Sequence, residues 1–283
     1  MNTVAKNETS LAAQIATLVA NDEVALPPLP EVAMRVQEVL SSPTINMREL
    51  GSLLTRDPAI VAALLRLANS AAFGGLGRIE KLPVAVQRIG LRQVGALVTA
   101  LGVKTHFEHP SPEKREILGV LWEHSVTSAF AARAIAKRVG SNQERAFLAG
   151  LLHDCGKVLV LTAMDKIEEE RLGFEPSREL LMELMTELHG TLGYTVLTSW
   201  NLPEELALVA RDHGVFDDDA DTLLLCVQAA NLITTKLGFH LVPDETITLV
   251  GHPVMVDLGL DDMAIATMMI DMEDHLAEMK ALM

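Results

Sequence analysis

Residues 146–157 read AFLAGLLHDCGK, an apolar run that ends in a histidine, an aspartate and a short polar tail. Ser141 and Glu144 precede the run at the spacing of a helix N-terminal capping box. The pattern predicts a helix through this run, with His153 and Asp154 near its end. An imidazole beside a carboxylate is a candidate pair of metal ligands, so we expect any chemistry of this protein to centre on this pair.

Helical patterns surround this stretch. A long helix is predicted from about Pro112 to Val139. Later helices are predicted over SRELLMELMTELHGTLGYTVLTSW (177–200) and PEELALVARDH (203–213), followed by two more towards the C-terminus. No stretch shows the alternation typical of a strand. The sequence therefore predicts an all-α protein.

The N-terminal half carries its own helix signals. Asn46 stands three residues before Glu49, and Asp57 precedes Pro58, which are both typical helix starts. The helix that begins there is expected to run through Phe73, where the following GGLG ends it. A glycine at position 90 then separates two further predicted helices.

The prolines of HPSP, residues 109–112, mark the best candidate boundary in the chain. We therefore expect a two-part helical architecture. The predicted parts are a leading helix over 1–25, an N-terminal helical part over 26–109, a helical bundle over 110–240, and a C-terminal extension with a terminal helix over 241–283.

Composition limits the classes of function. The 283 residues are 49% hydrophobic and carry a formal net charge of -15, which disfavours binding to nucleic-acid phosphates and to anionic membranes. Cys155 and Cys226 are too few for a disulfide framework and are predicted to be reduced and buried. The N-terminus lacks the basic start of a signal peptide, and the apolar runs are too short to span a bilayer. We expect a cytoplasmic protein without a membrane partner.

GLLHDCGK resembles the histidine–aspartate motif of the HD superfamily of metal-dependent phosphohydrolases. In that superfamily an earlier helix supplies another histidine, and His124 in WEHS stands at the corresponding place. His189 in ELHGTLG and His213 in RDHG match later histidines. The resemblance implies a metal site made of His124, His153, Asp154, His189 and His213.

The resemblance narrows to the HDOD subgroup, the HD-related output domains, because N-terminal stretches match that family as well. These stretches are LPPLPEVAMRVQEVL, DPAIVAALLRLANSAAFG and LPVAVQRIGLRQVGALVTALGV, and TSWNLPEELALVARDH matches further on. Together they cover most of residues 26–240. The resemblance implies an HD-like helical bundle in the second part and a role in signal transduction or regulation.

The residue types suit metal chemistry. Neutral imidazoles favour divalent iron, manganese, zinc or nickel, and Asp154 adds an anionic oxygen able to bridge two ions. Such an ion lowers the pKa of a bound water and polarises a phosphoryl oxygen, which are the two services that hydrolysis of a phosphoester needs. In an active enzyme, Asp154 and Lys157 would be the catalytic residues, with Lys157 holding a substrate phosphate.

Two departures from the superfamily pattern bear on activity. A later helix of HD phosphohydrolases supplies a second aspartate, and Asn231 stands at the matching position here. A neutral amide oxygen is a poorer ligand than a carboxylate, so we expect weaker binding of a second ion, which argues against catalysis. After His213 the chain reads GVFDDDAD and lacks the GYP element of relatives that hydrolyse cyclic dinucleotides.

The remaining histidines lie in predicted loops or at helix ends, outside the matched pattern, and are expected to be solvated. They are His106, His109, His240, His252 and His275. Cys155 is expected to pack in the interior rather than to bind metal. Asn69 is expected to bond backbone groups at a helix end.

The sequence leaves three hypotheses open. The first is an HDOD-type signalling module that retains a histidine-rich metal site and binds a signalling protein partner or a small phosphate ligand. The second is an active metal-dependent phosphohydrolase acting on a nucleotide or small phosphoester. The third, a nucleic-acid-binding adaptor, ranks last, because the basic residues between Arg48 and Arg92 have the spacing of scattered solubilising charges.

Overall fold

The computed structural model describes residues 10–26, 28–42, 44–70, 77–171, 173–217 and 219–279. Within these ranges the chain forms α-helices, one short 3-10 helix and no strand, which confirms the all-α class. The helices are α1 (Leu11–Ala20), α2 (Glu31–Ser41), α3 (Met47–Leu54), α4 (Pro58–Ala68), α5 (Leu82–Ile89), α6 (Leu91–Lys104), α7 (Pro112–Arg138), α8 (Gln143–Leu152), α9 (Cys155–Glu170), α10 (Arg178–Ser199), α11 (Glu204–Asp212), α12 (Thr222–Lys236), α13 (Pro253–Asp257) and α14 (Asp262–Met279). The 3-10 helix, Thr105–Phe107, follows α6.

Most of the helix signals read from the sequence are confirmed. The Asn46 side chain caps α3 by accepting from the backbone N–H groups of Arg48 and Glu49. Asp57 caps α4 in the same way, with Pro58 in the first turn. Gly90, at φ 92°, separates α5 from α6.

Two predicted boundaries are wrong. α8 is capped by Asn142 rather than by Ser141, because the Asn142 side chain reaches the backbone N–H of Arg145. α4 ends at Ala68, well before Phe73, since the Asn69 side chain turns the chain by bonding the carbonyls of Leu65 and Ile79 and the N–H of Ile79.

Some predictions fall on residues outside the described ranges. The GGLG stop lies almost wholly there, as do residues 1–9 of the leading segment and the last four residues of the chain. Within the described ranges, α1 gives the leading segment its helix, and α14 is the terminal helix expected in the C-terminal extension.

The core is organised around α7, which packs against α8, α12 and α14. Ile117, Leu121 and Ile135 on α7 have no exposed surface. The buried apolar side chains form one continuous cluster that runs from Ile15 on α1 to Met272 on α14 and includes residues on both sides of the HPSP segment. The helical parts before and after residue 110 therefore share a core, and the boundary itself stays a prediction.

Residues 143–170, which comprise α8, α9 and the turn between them, are the one apolar stretch of the described chain long enough to cross a membrane. Its most apolar window has a mean hydropathy of 1.4, yet 89% of that window is buried inside the protein. These helices form part of the interior of the helical bundle, and the turn between them carries the His153–Asp154 pair.

Candidate metal centre

The His153–Asp154 pair forms the sharp turn between α8 and α9. His153 is the C-cap of α8, and Asp154 precedes the first residue of α9 with φ -103° and ψ 9°. The side chain of His153 has no exposed surface, and that of Asp154 is 2% exposed. The sequence prediction that the pair lies near a helix end is confirmed, and the turn directs both side chains into the core.

Two glycines let the neighbouring helices come close to this turn. A Cβ atom at Gly156 would lie 2.0 Å from the carbonyl oxygen of His189 on α10. A Cβ atom at Gly150 would lie 2.7 Å from the carbonyl oxygen of Ser128 on α7. Because glycine has no Cβ, α10 and α7 can pack backbone to backbone against this turn, which brings their histidines within reach of Asp154.

Three imidazoles converge on Asp154. The Nε2 atoms of His124 and His153 lie 3.4 Å and 3.5 Å from its Oδ2 atom, and Nε2 of His213 lies 3.5 Å from its Oδ1 atom. The two Nε2 atoms of His124 and His153 are themselves 3.1 Å apart. These side chains come from the middle of α7, the α8–α9 turn and the C-terminus of α11, so residues remote in sequence share one point in space.

Backbone carbonyls set the orientation of the three rings. Nδ1 of His124 bonds the carbonyl oxygen of Phe239 at 2.5 Å, Nδ1 of His153 that of Gly150 at 2.7 Å, and Nδ1 of His213 that of Ala210 at 3.1 Å. A carbonyl oxygen only accepts, so each Nδ1 carries a hydrogen, and in a neutral ring Nε2 then presents a lone pair. Carbonyl-oriented imidazoles of this kind are the usual support of a metal-ligating histidine.

The protonation states suit a cation. Burial lowers the pKa of His124 to about 3 and holds the pKa of His153 well below its usual range, so both rings are neutral at physiological pH. Burial acts to raise the pKa of Asp154, but Lys157 and the nearby histidines outweigh it and keep that pKa well below its usual range. Two neutral lone pairs 3.1 Å apart beside an ionised carboxylate repel one another unless a cation lies among them. The residues present therefore fit a divalent transition metal.

Lys157 is part of the same cluster. Its Nζ atom donates to Oδ2 of Asp154 at 2.6 Å, and the residue is only 7% exposed. The ammonium thus neutralises the carboxylate from the α9 side. In this structure Lys157 bonds Asp154, and its predicted contact with a substrate phosphate stays a prediction.

The other two residues named from the pattern lie less centrally. His189 is half-buried on α10, its ring contacts the ring of His213 at a centroid distance of 5.0 Å, and its Nδ1 bonds the carbonyl oxygens of Met185 and Thr186. Asn231 lies on α12, and its Oδ1 atom is buried without a hydrogen-bond partner. Their roles as ligands stay predictions.

His240 is the site residue that the sequence analysis missed. A ring nitrogen of His240 lies within 4.8 Å of a ring nitrogen of His124 and of a carboxylate oxygen of Asp154. The expectation that this side chain is solvated is wrong, because it is half-buried against the centre. His240 follows α12 in a loop, where no periodic pattern indicates which way a side chain points.

The same expectation is wrong for three further histidines. The His106 ring stacks on Trp200 with centroids 5.3 Å apart, and the His252 ring contacts Phe216 at 5.1 Å. His109 bonds Asp165 at 2.9 Å through Nε2. The side chain of His275 lies outside the described residues. Cys155 is buried as expected, and burial raises the pKa of its thiol.

Comparison with known proteins identifies a matching family and similar solved structures. Residues 26–215 match the family model of the HDOD domain. The solved structure of a Shewanella amazonensis protein named "Putative metal-dependent phosphohydrolase" is 25% identical, with a TM-score of 0.77 over 96% of this chain and 98% of that one. An HDOD domain protein of unknown function from Geobacter sulfurreducens is 22% identical, with a TM-score of 0.70 over 95% and 96% of the two chains.

A curated relative, an uncharacterized protein of Treponema pallidum (strain Nichols), is 28% identical over 212 residues. The match takes in 72% of this chain but only 40% of the length of that relative. The family match, by contrast, covers well over half of this chain, and the fold agrees with a solved HDOD protein along nearly the whole length of both. This chain belongs to the HDOD domain family.

Proposed function

We propose that this protein is a regulatory HDOD module in which a divalent transition metal joins helices of the core. The ligands would be Nε2 of His124, His153 and His213 together with the Asp154 carboxylate, and His189 would lie at the edge of the set. The observation that carries the proposal is the convergence of three Nδ1-anchored imidazoles on one buried carboxylate. An ion bound there would link α7, the α8–α9 turn and α11.

The burial of the cluster favours a structural and regulatory role. His124, His153, Asp154 and His213 are each at most 4% exposed, so a phosphoester has no direct route to them in this conformation. The Lys157 ammonium donates to Oδ2 of Asp154, and its positive charge disfavours a second cation beside that carboxylate. The amide of Asn231 is neutral, so it adds no negative charge that would attract a second cation. A module of this kind would act in the cytoplasm by presenting its surface to a signalling protein or a small phosphate ligand.

Elemental analysis and thermal unfolding of the purified chain test this proposal. We expect bound iron, manganese, zinc or nickel, which is lost in His153→Ala and kept in His252→Ala, a matched histidine that packs on Phe216 instead. Removal of the ion by a chelator should lower the melting temperature by several degrees, because an ion at about 100 times its Kd stabilises the folded state by about 2.7 kcal/mol. A melting temperature that does not change when a bound ion is removed would rule out the structural role.

A metal-dependent phosphohydrolase is the second candidate. Its support is the set of four histidines and one aspartate and the 25% identity to a Shewanella protein with that name. The bound ion would supply an activated water, and Lys157 would leave Asp154 to hold a phosphate. A panel of nucleotides and small phosphoesters with manganese, iron, zinc or nickel is the test. The enzyme hypothesis requires turnover that Asp154→Ala abolishes, and it fails if no such turnover is found.

A further inference from the structure

The segment that follows α12 lies directly over the centre. Gly238, at φ 89°, turns the chain at the end of α12, and the backbone N–H of Phe239 then bonds the carbonyl oxygen of Thr234 at 2.9 Å. This turn places the Phe239 carbonyl against Nδ1 of His124. The backbone of the loop is thus already part of the shell that orients one imidazole of the centre.

The next residue, His240, turns its ring towards the same imidazole. The rings of His124 and His240 meet edge to face, with centroids 4.9 Å apart and planes at 78°. A ring nitrogen of His240 lies within 4.8 Å of ligand atoms of both His124 and Asp154. Nδ1 of His240 lies 2.9 Å from the carbonyl oxygen of Val242 and 3.1 Å from the backbone nitrogen of the same residue. These contacts allow either tautomer, and an ion at Nε2 would select the one in which Nδ1 donates to the carbonyl oxygen.

Several contacts hold this loop on α12. Nζ of Lys236 donates to the carbonyl oxygens of Glu245 at 2.8 Å and Ile247 at 2.7 Å. The backbone N–H of Asp244 bonds the carbonyl oxygen of Thr235 at 3.3 Å. The Phe239–Thr234 bond precedes His240 and these contacts follow it, so residues 237–247, which we name the cap segment, are tied to α12 on both sides of His240.

α12 itself supplies no carboxylate or imidazole ligand for a cation. Its sequence, TLLLCVQAANLITTK, contains no aspartate, glutamate or histidine, and Asn231 offers only a neutral amide. Any charged or imidazole ligand from this side of the centre must therefore come from the cap segment. His240 is the imidazole that the cap segment brings to Asp154.

We propose that His240 is a further metal ligand, which the cap segment supplies in place of the carboxylate absent from α12. The inference rests on the proposed metal site. If His240 is a ligand, ion binding and packing of the cap segment against α12 are coupled. A bound ion would then make this surface loop more ordered. Val242, which is 60% exposed on the outer side of that loop, would carry this change to the surface.

The test is Co²⁺ titration of the full chain, followed by the visible absorption of the bound ion. The variants are His240→Ala, His240→Phe, which keeps an aromatic ring against His124 but has no nitrogen, and the control His252→Phe. Both changes at 240 should weaken Co²⁺ binding at least about tenfold and alter the absorption spectrum, because a ligand is lost. His252→Phe should bind as the wild type does. Far-UV circular dichroism of the metal-free proteins checks that each variant folds.

Hydrogen exchange of residues 237–247 gives an independent readout. In the wild type, Co²⁺ should slow exchange in the cap segment, and in His240→Phe it should not. Wild-type affinity and spectrum in His240→Phe, or equal protection of the cap segment in both proteins, would show that the ring only packs, and would overturn the inference while leaving the metal site intact. If wild-type protein binds no Co²⁺, the proposed metal site fails and this inference with it.

Discussion

The Nε2 atoms of His124 and His153 lie 3.1 Å apart in the protein interior, although the two residues are 29 positions apart in the chain. Nδ1 of each ring donates its hydrogen to a backbone carbonyl oxygen. In the neutral rings neither Nε2 atom therefore carries a hydrogen that it could donate to the other. Such an arrangement is costly in the absence of a metal cation, and burial opposes protonation of either ring. The first prediction concerns the resistance of these buried rings to protonation.

The metal-free protein should lose stability as the pH falls below about 6.5. His124 has a pKa of about 3 in the folded state, and that of His153 is also lowered, whereas imidazoles in the unfolded chain titrate near their usual value. Between these values the unfolded state binds more protons than the folded state, so the free energy of unfolding falls with falling pH.

Urea unfolding at several pH values, with a chelator present, measures this effect. His124→Phe should reduce the pH slope by about 1.4 kcal/mol per pH unit in the acidic window, since one proton fewer is taken up on unfolding. The same slope in wild type and variant would mean that His124 is readily protonated in the folded state.

Gly156→Ala should destabilise the fold by at least about 2 kcal/mol. Its Cβ atom would lie 2.0 Å from the carbonyl oxygen of His189, a backbone atom that cannot move without shifting α10. The matched control is Gly119→Ala on α7, where a Cβ atom meets nothing within 4 Å. That change should be neutral or stabilise by up to about 1 kcal/mol. Equal effects of the two changes on denaturant midpoints would contradict the close approach of α9 and α10.

Lys157→Met should destabilise the metal-free protein by roughly 3–5 kcal/mol, because it leaves the Asp154 carboxylate buried without its ammonium partner. The variant should recover more stability from added Zn²⁺ than the wild type does, since the ion then supplies the missing positive charge. Lys166→Met, which breaks the partly exposed pair with Glu23, should cost no more than about 1 kcal/mol. Thermal unfolding with and without Zn²⁺ gives both comparisons, and a loss in Lys157→Met no larger than in Lys166→Met would contradict this role.

Asn69→Ala should destabilise the protein by about 1–2 kcal/mol. The amide bridges the two ends of the connection between α4 and α5 by bonding Leu65 and both backbone groups of Ile79. Asn21→Ala, whose amide makes a single exposed contact with Glu23, is the control and should change little. An unchanged free energy of unfolding in Asn69→Ala would contradict this role of the amide.

The helices of this protein follow from local physics. Caps such as Asn46 and Asp57, a glycine stop at position 90 and apolar spacing act within a few residues, so a single sequence is enough to predict them. Where two neighbouring residues could each cap a helix, one hydrogen bond decided which of them does. Asn142 rather than Ser141 caps α8 for that reason.

The metal centre likewise has features that the sequence predicts and features that depend on tertiary packing. The sequence by itself determined that a histidine–aspartate pair ends an apolar helix and that further histidines stand on neighbouring helices, because helix periodicity and family pattern are both read along the chain. Only the tertiary structure decided that His240 lies at the centre. The contact of His124 with Phe239 spans 115 positions, and the path of a loop over such a distance depends on how whole helices pack, which no local pattern encodes.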